Sequence, residues 1–368
     1  MKILIAPDKF KNSLGARPVA ESIAQGLREV LPDAVLVTCP IADGGEGTAS
    51  VIGEACGGEW CECPVRDALG REIKARYVWL PEMATAVLEM SEAAGLWRIA
   101  PHERDLLRSD TYGVGEMILD ATRRGAGKII IGLGGSATND GGFGMARALG
   151  CRFFNRNNTL AESVADLADL TRIETSERVA LPPIVAAADV RNPLLGTRGA
   201  THVFGPQKGA AYDQLAQLEQ ALVRLANVTA RDLGCDYREA EGSGAAGGLA
   251  FGLVSYCNGQ IRSGFDLVAT MIGLEAKVRD ADMVITGEGS LDQQTLEGKA
   301  AAGVAHLARK HGKPIYAIVG QTSGGAACEN LFDGVCALAR GTVTVAEAMM
   351  QTTSLLRMRA RELASSTF

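Results

Sequence analysis

GLGGSATNDGGFG, residues 132–144, lies between the apolar run Lys128–Ile131 and the segment Met145–Leu149, which is typical of a helix. The apolar run predicts a buried strand. Six glycines, interleaved with Ser, Thr, Asn and Asp, let the backbone turn sharply and approach a ligand closely. Amides and hydroxyls at the start of a helix also bind anions. This glycine-rich loop (residues 132–144) therefore predicts a phosphate- or carboxylate-binding turn in an α/β fold, with a sharp turn that binds no ligand as the alternative.

Short apolar runs recur along the chain and predict strands that are buried on both faces, as parallel sheets require. Besides Ile129–Ile131, they are Ile3–Ala6, Val35–Val37, Ile184–Ala187, Met283–Ile285, Ile315–Val319 and Val335–Leu338. Helical patterns lie between them, at 19–30, 113–124 and 299–311. The alternation predicts an α/β fold with a doubly wound, mostly parallel sheet of the Rossmann or flavodoxin type.

The length of 368 residues exceeds what one hydrophobic core usually serves, so two domains are expected. Residues 71–90 partly alternate between apolar and polar side chains and predict antiparallel strands, and residues 192–280 are rich in helix and glycine. We expect a second, inserted α/β domain made of 61–112 and 189–281. Residues 1–60, 113–188 and 282–368 are then expected to form the doubly wound domain.

Composition excludes several classes of protein. The net charge of −6 argues against a basic surface that binds nucleic acid. The sequence contains neither a basic amphipathic helix nor an apolar run of about 18 residues, so membrane binding is not predicted. The nine cysteines are odd in number, and the spacing of Cys61 and Cys63 does not fit a zinc site. The start Met1–Asp8 is typical of a first strand and not of a signal peptide. These features predict free thiols and a cytoplasmic protein.

Charged residues follow the predicted strands, where ligands bind in open α/β sheets. Asp8 and Lys9 follow the first strand, Asp43 the second, Asp189 the strand at 184–187, and Glu288 and Asp292 the strand at 283–285. Acids for Mg²⁺, lysines for phosphate and a glycine-rich loop together predict phosphoryl transfer. The residues have structural alternatives: a helix cap for Asp8, a cap for Asp189, an Asx turn for Asp43, and a solvated charge for Lys9 or Lys208. A Walker A motif, a protein-kinase signature and a dinucleotide fingerprint are absent from the sequence.

Six ordered motifs resemble those of the class I glycerate kinases of bacteria. They lie at residues 6–14, 40–48, 132–142, 189–194, 203–210 and 286–295. Two positions depart from the family's pattern: Asn12 stands where glycine is frequent, and Ala300 follows Lys299 where proline is common. Neither departure removes a candidate charged group.

The resemblance implies ATP-dependent phosphorylation of D-glycerate, with 2-phosphoglycerate and ADP as products and with the site in a cleft between two α/β domains. It implies ATP and Mg²⁺ as cofactors. The choice of the 2-hydroxyl rests on the resemblance alone, so a glycerate 3-kinase and a kinase of another small hydroxy acid stay open.

Roles for single residues follow from the motifs. Lys9 and Asp189 are predicted to be catalytic, with Asp189 orienting or deprotonating the reacting hydroxyl. Residues predicted to bind the substrate are Asp8, Lys9, Ser13, Asp43 and Gly44. Residues predicted to bind the nucleotide are Gly134, Gly135, Ser136, Thr138, Lys208 and Glu288. Asp43 and Asp292 are the predicted ligands of Mg²⁺, with Glu288 as an alternative to Asp292.

Two other classes remain as alternatives at this point. A nicotinamide-dependent oxidoreductase would also use glycine-rich strand-to-helix turns, although its fingerprint is missing. A metabolite-binding protein without activity would have little use for several carboxylates at strand ends. The oligomeric state is left open, with a homodimer as one alternative.

Overall fold

The computed structural model describes residues 1–292, 300–323 and 325–367. The chain forms two compact units. The first unit comprises Met1–Asp43, Ser50–Cys56 and Phe265–Phe368, and the second unit comprises Gly44–Ala49 and Gly57–Gly264. Within the described ranges, no helix combines the length and the apolar character that crossing a membrane requires.

The strands are numbered in chain order and carry these labels below. They are β1 (Lys2–Pro7), β2 (Val35–Thr38), β3 (Glu59–Arg66), β4 (Glu72–Leu80), β5 (Thr85–Glu89), β6 (Lys128–Gly132), β7 (Arg152–Asn155), β8 (Leu170–Glu174), β9 (Ile184–Ala187), β10 (Gln260–Arg262), β11 (Met283–Gly287), β12 (Ser290–Leu291), β13 (Ile315–Val319), β14 (Gln321–Thr322) and β15 (Gly334–Ala337).

The helices are given by their bounds. The α-helices are Ala16–Val30, Thr48–Cys56, Ser91–Ala94, Tyr112–Arg123, Phe143–Ala148, Ala200–Phe204, Tyr212–Leu233, Ala245–Cys257, Gly264–Met271, Leu274–Asp280, Ala300–Lys310, Ala326–Glu329, Val345–Met350 and Thr352–Thr367. Short 3₁₀ helices are Pro81–Met83, Leu96–Arg98, Pro101–Glu103, Val164–Asp169 and Pro206–Lys208. The predicted helix at 299–311 is observed as Ala300–Lys310, and its Lys299 lies outside the described residues.

The first unit contains a five-stranded parallel sheet in the order β15-β13-β11-β1-β2. The central strand, β11, is buried at every position because helices can cover both faces of a parallel sheet. The edge strand β2 differs from the prediction of full burial, since Val35 is 58% exposed. The helix Ala16–Val30 buries Val19, Ile23 and Leu27, the face that its periodicity predicts.

The second unit contains a mixed six-stranded sheet in the order β10-β9-β6-β5-β4-β3. β10, β9, β6 and β5 are parallel, whereas β4 pairs antiparallel with both β5 and β3. The predicted antiparallel strands at 71–90 are therefore observed. β3 alternates buried and exposed residues, so Cys61 and Cys63 point to the same buried face. All nine cysteines are free thiols.

The observed units differ from the predicted domain boundaries. Residues 113–188 were expected beside the N-terminal strands, but β6 pairs with β5, and β9 pairs with β6, in the sheet of the second unit. Residues 265–281 were expected in the inserted domain and lie in the first unit. The reason is that a buried apolar run predicts a strand without specifying its neighbours, because runs in both sheets have the same composition.

Truncating a side chain is expected to destabilise the protein more at the centre of the five-stranded sheet than at its edge. Ile285→Ala in β11 removes a side chain with 0% exposure and is expected to lower the free energy of unfolding by about 2–5 kcal/mol. The control Val35→Ala, on the exposed edge, should cost under about 1 kcal/mol. Urea denaturation measures both, and equal losses would contradict the assigned strand order.

Candidate functional site

Asp8 and Glu288 occupy matching positions at the carboxyl ends of two neighbouring strands of the first unit. β1 and β11 are parallel with Pro7 opposite Gly287, and the Asp8 amide donates to the Gly287 carbonyl at 2.8 Å. Asp8 and Glu288 are each only 7% exposed. The sheet thus brings together two predicted site residues that are 280 positions apart in the sequence.

Lys9 supplies the positive charge of this group. Its Nζ lies 3.4 Å from Oδ1 of Asp43 and 3.7 Å from Oδ1 of Asp8. Burial raises the pKa of Asp8 to about 7, with Lys9 opposing that shift and the charges of Asp43 and Glu288 adding to it. Asp8 can therefore both accept and donate hydrogen bonds near neutral pH. Lys9, Asp8, Asp43 and Glu288 are called the acid–lysine cluster below.

Two predicted residues of the first unit make other contacts. The Ser13 hydroxyl donates to the Met349 carbonyl at 3.0 Å and lies 2.5 Å from the Thr352 hydroxyl, so it ties its loop to the C-terminal helices. The carbonyl of Asp292 accepts from Sγ of Cys328 at 3.1 Å. Residues 293–295, the end of the same sequence motif, lie outside the described residues. Asp8 does not cap a helix, because Gly15 occupies the N-cap position of Ala16–Val30.

In the second unit, the glycine-rich loop packs against residues 44–47, named here the Gly44–Gly47 turn. A Cβ atom on Gly134 would lie 2.5 Å from Cα of Gly45, and one on Gly135 would collide with the Glu46 side chain. Gly44 has φ +86°, and its own Cβ would lie 2.8 Å from Cα of Gly264. Gly44 and Gly134 are therefore required for contact between backbones, whatever ligand they bind, and Gly135 is required by its φ of +68°.

Carboxylates at the ends of β5 and β9 hold the same region together. Oε1 of Glu89 accepts from the amides of Gly47 and Ala49 at 3.0 and 2.8 Å. Oδ1 of Asp189 accepts from the Gly264 amide at 2.8 Å and from the Ser263 hydroxyl at 3.3 Å. Asp189 was predicted from the sequence to be a site residue, whereas Glu89 was not. The available signal was an acid that ends the otherwise apolar run Thr85–Leu88.

Asp140, inside the loop, is a structural acid that was not predicted as one. Its carboxylate is fully buried and accepts from the amides of Thr111, Gly142 and Gly144 and from the Thr111 hydroxyl, at 2.7–3.1 Å. Burial raises its pKa, and these four hydrogen bonds oppose the shift. Asp140 thereby joins the glycine-rich loop to the start of the helix Tyr112–Arg123.

The exposed end of the loop presents donors. Among the described residues, no acceptor pairs with the amides of Gly134, Gly135 and Ser136. Gly135 is exposed, Gly134 is half-buried and Ser136 is buried. The Thr138 hydroxyl is buried and has no hydrogen-bond partner in the same part of the chain. Consecutive amides of this kind form a concave site for an anion.

Lys208 reaches the opposite side of the loop. It is 4% exposed, and its Nζ donates to the Thr138 carbonyl at 2.7 Å. Burial lowers the pKa of Lys208 to about 7, and the charge of Asp140 partly opposes that shift. The Lys208 ammonium therefore lies against the loop backbone. The alternative expectation, a charge exposed to solvent, is wrong.

Each unit presents its own kind of chemistry. The second unit displays amide and hydroxyl donors that suit phosphate oxygens, whereas the first displays a lysine among carboxylates that suits a small polar substrate and a hard cation. No group of three or more metal-binding side chains occurs in residues 1–292, 300–323 and 325–367. Mg²⁺ in phosphoryl-transfer enzymes is held by one or two carboxylates together with phosphates and water, so such a group is not required.

Comparisons with a family model and with single proteins identify the same family. The model of the glycerate kinase family matches residues 3–367. The chain is 40% identical to a glycerate kinase of Halalkalibacterium halodurans, over 98% of this chain and 97% of that protein. It is 41% identical to the glycerate 2-kinase of Escherichia coli, over 87% of this chain and 85% of that protein.

A solved structure described as a glycerate kinase 2 from Salmonella typhimurium LT2 has the same fold. It superposes with a TM-score of 0.85 at 41% identity and covers 100% of this chain and 98% of its own. The mixed α/β fold with mostly parallel sheets is therefore shared with a known protein of that description.

Because the loop packs closely on the Gly44–Gly47 turn, we expect that a side chain at Gly134 is not tolerated. Gly134→Ala places a Cβ against the Gly45 backbone and is expected to lower the free energy of unfolding by about 1–3 kcal/mol. The matched control is Gly127→Ala, whose Cβ would meet its nearest atom at 3.6 Å and should change stability by under about 0.5 kcal/mol. Thermal unfolding of both variants checks this, and an unaffected Gly134→Ala protein would refute the close approach.

Proposed function

The chain belongs to the glycerate kinase family, and we propose that it transfers the γ-phosphoryl group of ATP to D-glycerate, releasing 2-phosphoglycerate and ADP. One observation carries this proposal: the family match extends over residues 3–367 and includes every site motif. The name of the Escherichia coli relative supports the 2-hydroxyl as the acceptor. The site chemistry supports phosphoryl transfer, which needs positioning and charge neutralisation more than covalent chemistry.

The glycine-rich loop is the proposed nucleotide site. The amides of Gly134, Gly135 and Ser136 would donate to phosphate oxygens, since no described residue accepts from them. The hydroxyls of Ser136 and Thr138 would add two further donors. Glu288 is proposed to contact the nucleotide through the base, the ribose or a bound cation, because a carboxylate would repel the phosphates themselves.

The acid–lysine cluster is the proposed glycerate site. Lys9 would pair with the glycerate carboxylate or with the phosphoryl group in transfer, because its ammonium already faces Asp8 and Asp43. Asp8, whose pKa is raised to about 7, could accept from a glycerate hydroxyl or donate to the carboxylate. Gly44 would contribute its backbone. Ser13 stays a predicted substrate ligand, although its observed bonds to Met349 and Thr352 favour a structural role.

Asp189 is the proposed group that orients the reacting hydroxyl and receives its proton. The Gly264 amide and the Ser263 hydroxyl hold Oδ1 of its carboxylate in place. A carboxylate fixed in this way can accept a hydrogen bond from a substrate hydroxyl without first reorganising. When the oxygen of that hydroxyl attacks the γ-phosphorus, its proton would pass to Asp189.

Mg²⁺ is proposed as the cofactor. Asp43, whose side chain is 27% exposed, and Asp292 would hold it, with Glu288 as the alternative to Asp292. Carboxylate oxygens are the donors that Mg²⁺ prefers, so these residues fit the ion. When bound, Mg²⁺ would neutralise phosphate charge.

Location and assembly complete the proposal. Nine free thiols support a reducing compartment, so we propose a cytoplasmic protein. A homodimer stays a prediction, which sedimentation analysis would decide.

A coupled assay of ATP consumption with Mg²⁺ and D-glycerate, with phosphorus NMR of the product, tests the function. Glycerate-dependent turnover and a 2-phosphoglycerate signal are expected, and Asp189→Asn should lower kcat by about 10²–10⁴-fold, the usual effect of losing a general base. A 3-phosphoglycerate signal would keep the kinase and overturn the position of transfer. The absence of glycerate-dependent turnover would overturn the proposal.

The hydroxyls of the loop are expected to contribute to ATP binding. Ser136→Ala and Thr138→Val should each raise KM for ATP about tenfold, because each removes one hydrogen bond to a charged phosphate. Ser354→Ala, on the exposed C-terminal helix, is the control and should leave KM unchanged. Unaltered ATP kinetics in both loop variants would argue against the loop as the nucleotide site.

A further inference from the structure

We propose that Lys208 is a positioning residue for the nucleotide: its buried ammonium holds the Thr138 carbonyl, keeps the loop amides in a phosphate-binding conformation, and takes up a proton when ATP binds. This inference rests on the proposed function of the loop. It goes beyond it by assigning Lys208 a role without phosphate contact and by linking ATP affinity to pH.

The Lys208 side chain is in an unusual environment for a lysine. A lysine that is 4% exposed normally faces a carboxylate, yet Nζ of Lys208 has a single hydrogen-bond partner among the described residues, a carbonyl oxygen at 2.7 Å. An ammonium has three donors. The free energy of desolvating this ammonium is not offset by one neutral acceptor. A functional role therefore explains the buried Lys208 better than a contribution to stability does.

Lys208 also fixes the orientation of one peptide group of the loop. Because a trans peptide is planar, the carbonyl of Thr138 and the amide of Asn139 point in opposite directions. Lys208 therefore sets the orientation of the Asn139 amide, for which the described chain offers no acceptor. Gly247 packs against the same Thr138 carbonyl and has φ +69°, so no side chain competes with Lys208 there. The ammonium and the glycine together fix the Thr138–Asn139 peptide of the loop.

The charges around Lys208 determine how its protonation responds to ATP. Asp140, in the loop, is the charged group that acts on its pKa, and Arg104 packs against the neighbouring Gly209. Burial lowers the pKa of Lys208 to about 7 in the protein without nucleotide. The phosphates of ATP would add negative charge on the loop and raise that pKa. Binding is then strongest below pH 7, where Lys208 is already protonated, and weakens above pH 7, where each binding event must bring a proton.

Calorimetric titration with ATP in buffers of different ionisation enthalpy counts this proton. At pH 7.5, the unaltered protein is expected to take up roughly half a proton more per ATP than Lys208→Met, which keeps the length of the side chain but cannot titrate. Protons exchanged by ATP itself and by Asp8 are the same in both proteins, so the difference reports Lys208. Lys74→Met, at a 79% exposed lysine, is the matched control and should behave as the unaltered protein does.

A second variant keeps the test decisive if Lys208→Met does not fold. The arginine of Lys208→Arg carries a charge throughout the tested pH range. Between pH 6.5 and 8.5, the dissociation constant for ATP is expected to rise about tenfold more in the unaltered protein than in Lys208→Arg. Equal proton uptake, or equal pH dependence, in the unaltered and variant proteins would overturn the role of Lys208 and leave the loop as the nucleotide site. Failure of the unaltered protein to bind ATP would instead overturn the proposed function.

Discussion

Gly134 and Gly45 bring two backbones into contact at a distance that no side chain could share, and the geometry of the second unit depends on this contact. A Cβ on Gly134 would lie 2.5 Å from Cα of Gly45, and one on Gly44 would lie 2.8 Å from Cα of Gly264. Three segments distant in sequence therefore meet at the carboxyl ends of β5, β6 and β9. The backbone that carries the amides of Gly134–Ser136 is held in place by the contacts of Gly134 with Gly45 and of Gly135 with Glu46.

Buried carboxylates maintain this arrangement. Glu89 binds two amides at the start of the helix Thr48–Cys56, and Asp140 accepts four hydrogen bonds that close the glycine-rich loop onto Thr111. Each acid is costly to bury, and its hydrogen bonds offset that cost only when the neighbouring backbone keeps its position. The loop is thus held by polar contacts inside the unit while its outer amides stay available. Lys208 adds a positive charge on the inner side.

The fold class could be predicted because its signal is local. Every apolar run that predicted a strand forms one, and the helix 19–30 buries the predicted face. The domain boundaries could not be predicted, since β6 and β1 have similar composition and only pairing over long distances places them in different sheets. Residues at strand ends, such as Asp8 and Asp189, could be proposed as site residues because ligands of α/β sheets bind where parallel strands end, although the two residues follow strands of different sheets. Glu89 and Asp140 were missed because the sequence does not show which backbone amides, distant along the chain, will donate to a carboxylate. The burial of Lys208 could not be read from its polar, glycine-rich surroundings.

The central claim is that the amides of Gly134, Gly135 and Ser136 bind the phosphates of ATP. A crystal structure with a non-hydrolysable ATP analogue and Mg²⁺ tests it most directly. Phosphate oxygens within about 3.2 Å of these three nitrogens, with the Lys208 ammonium still on the Thr138 carbonyl, are the predicted result. A triphosphate bound elsewhere, with the three amides facing only water, would contradict the account.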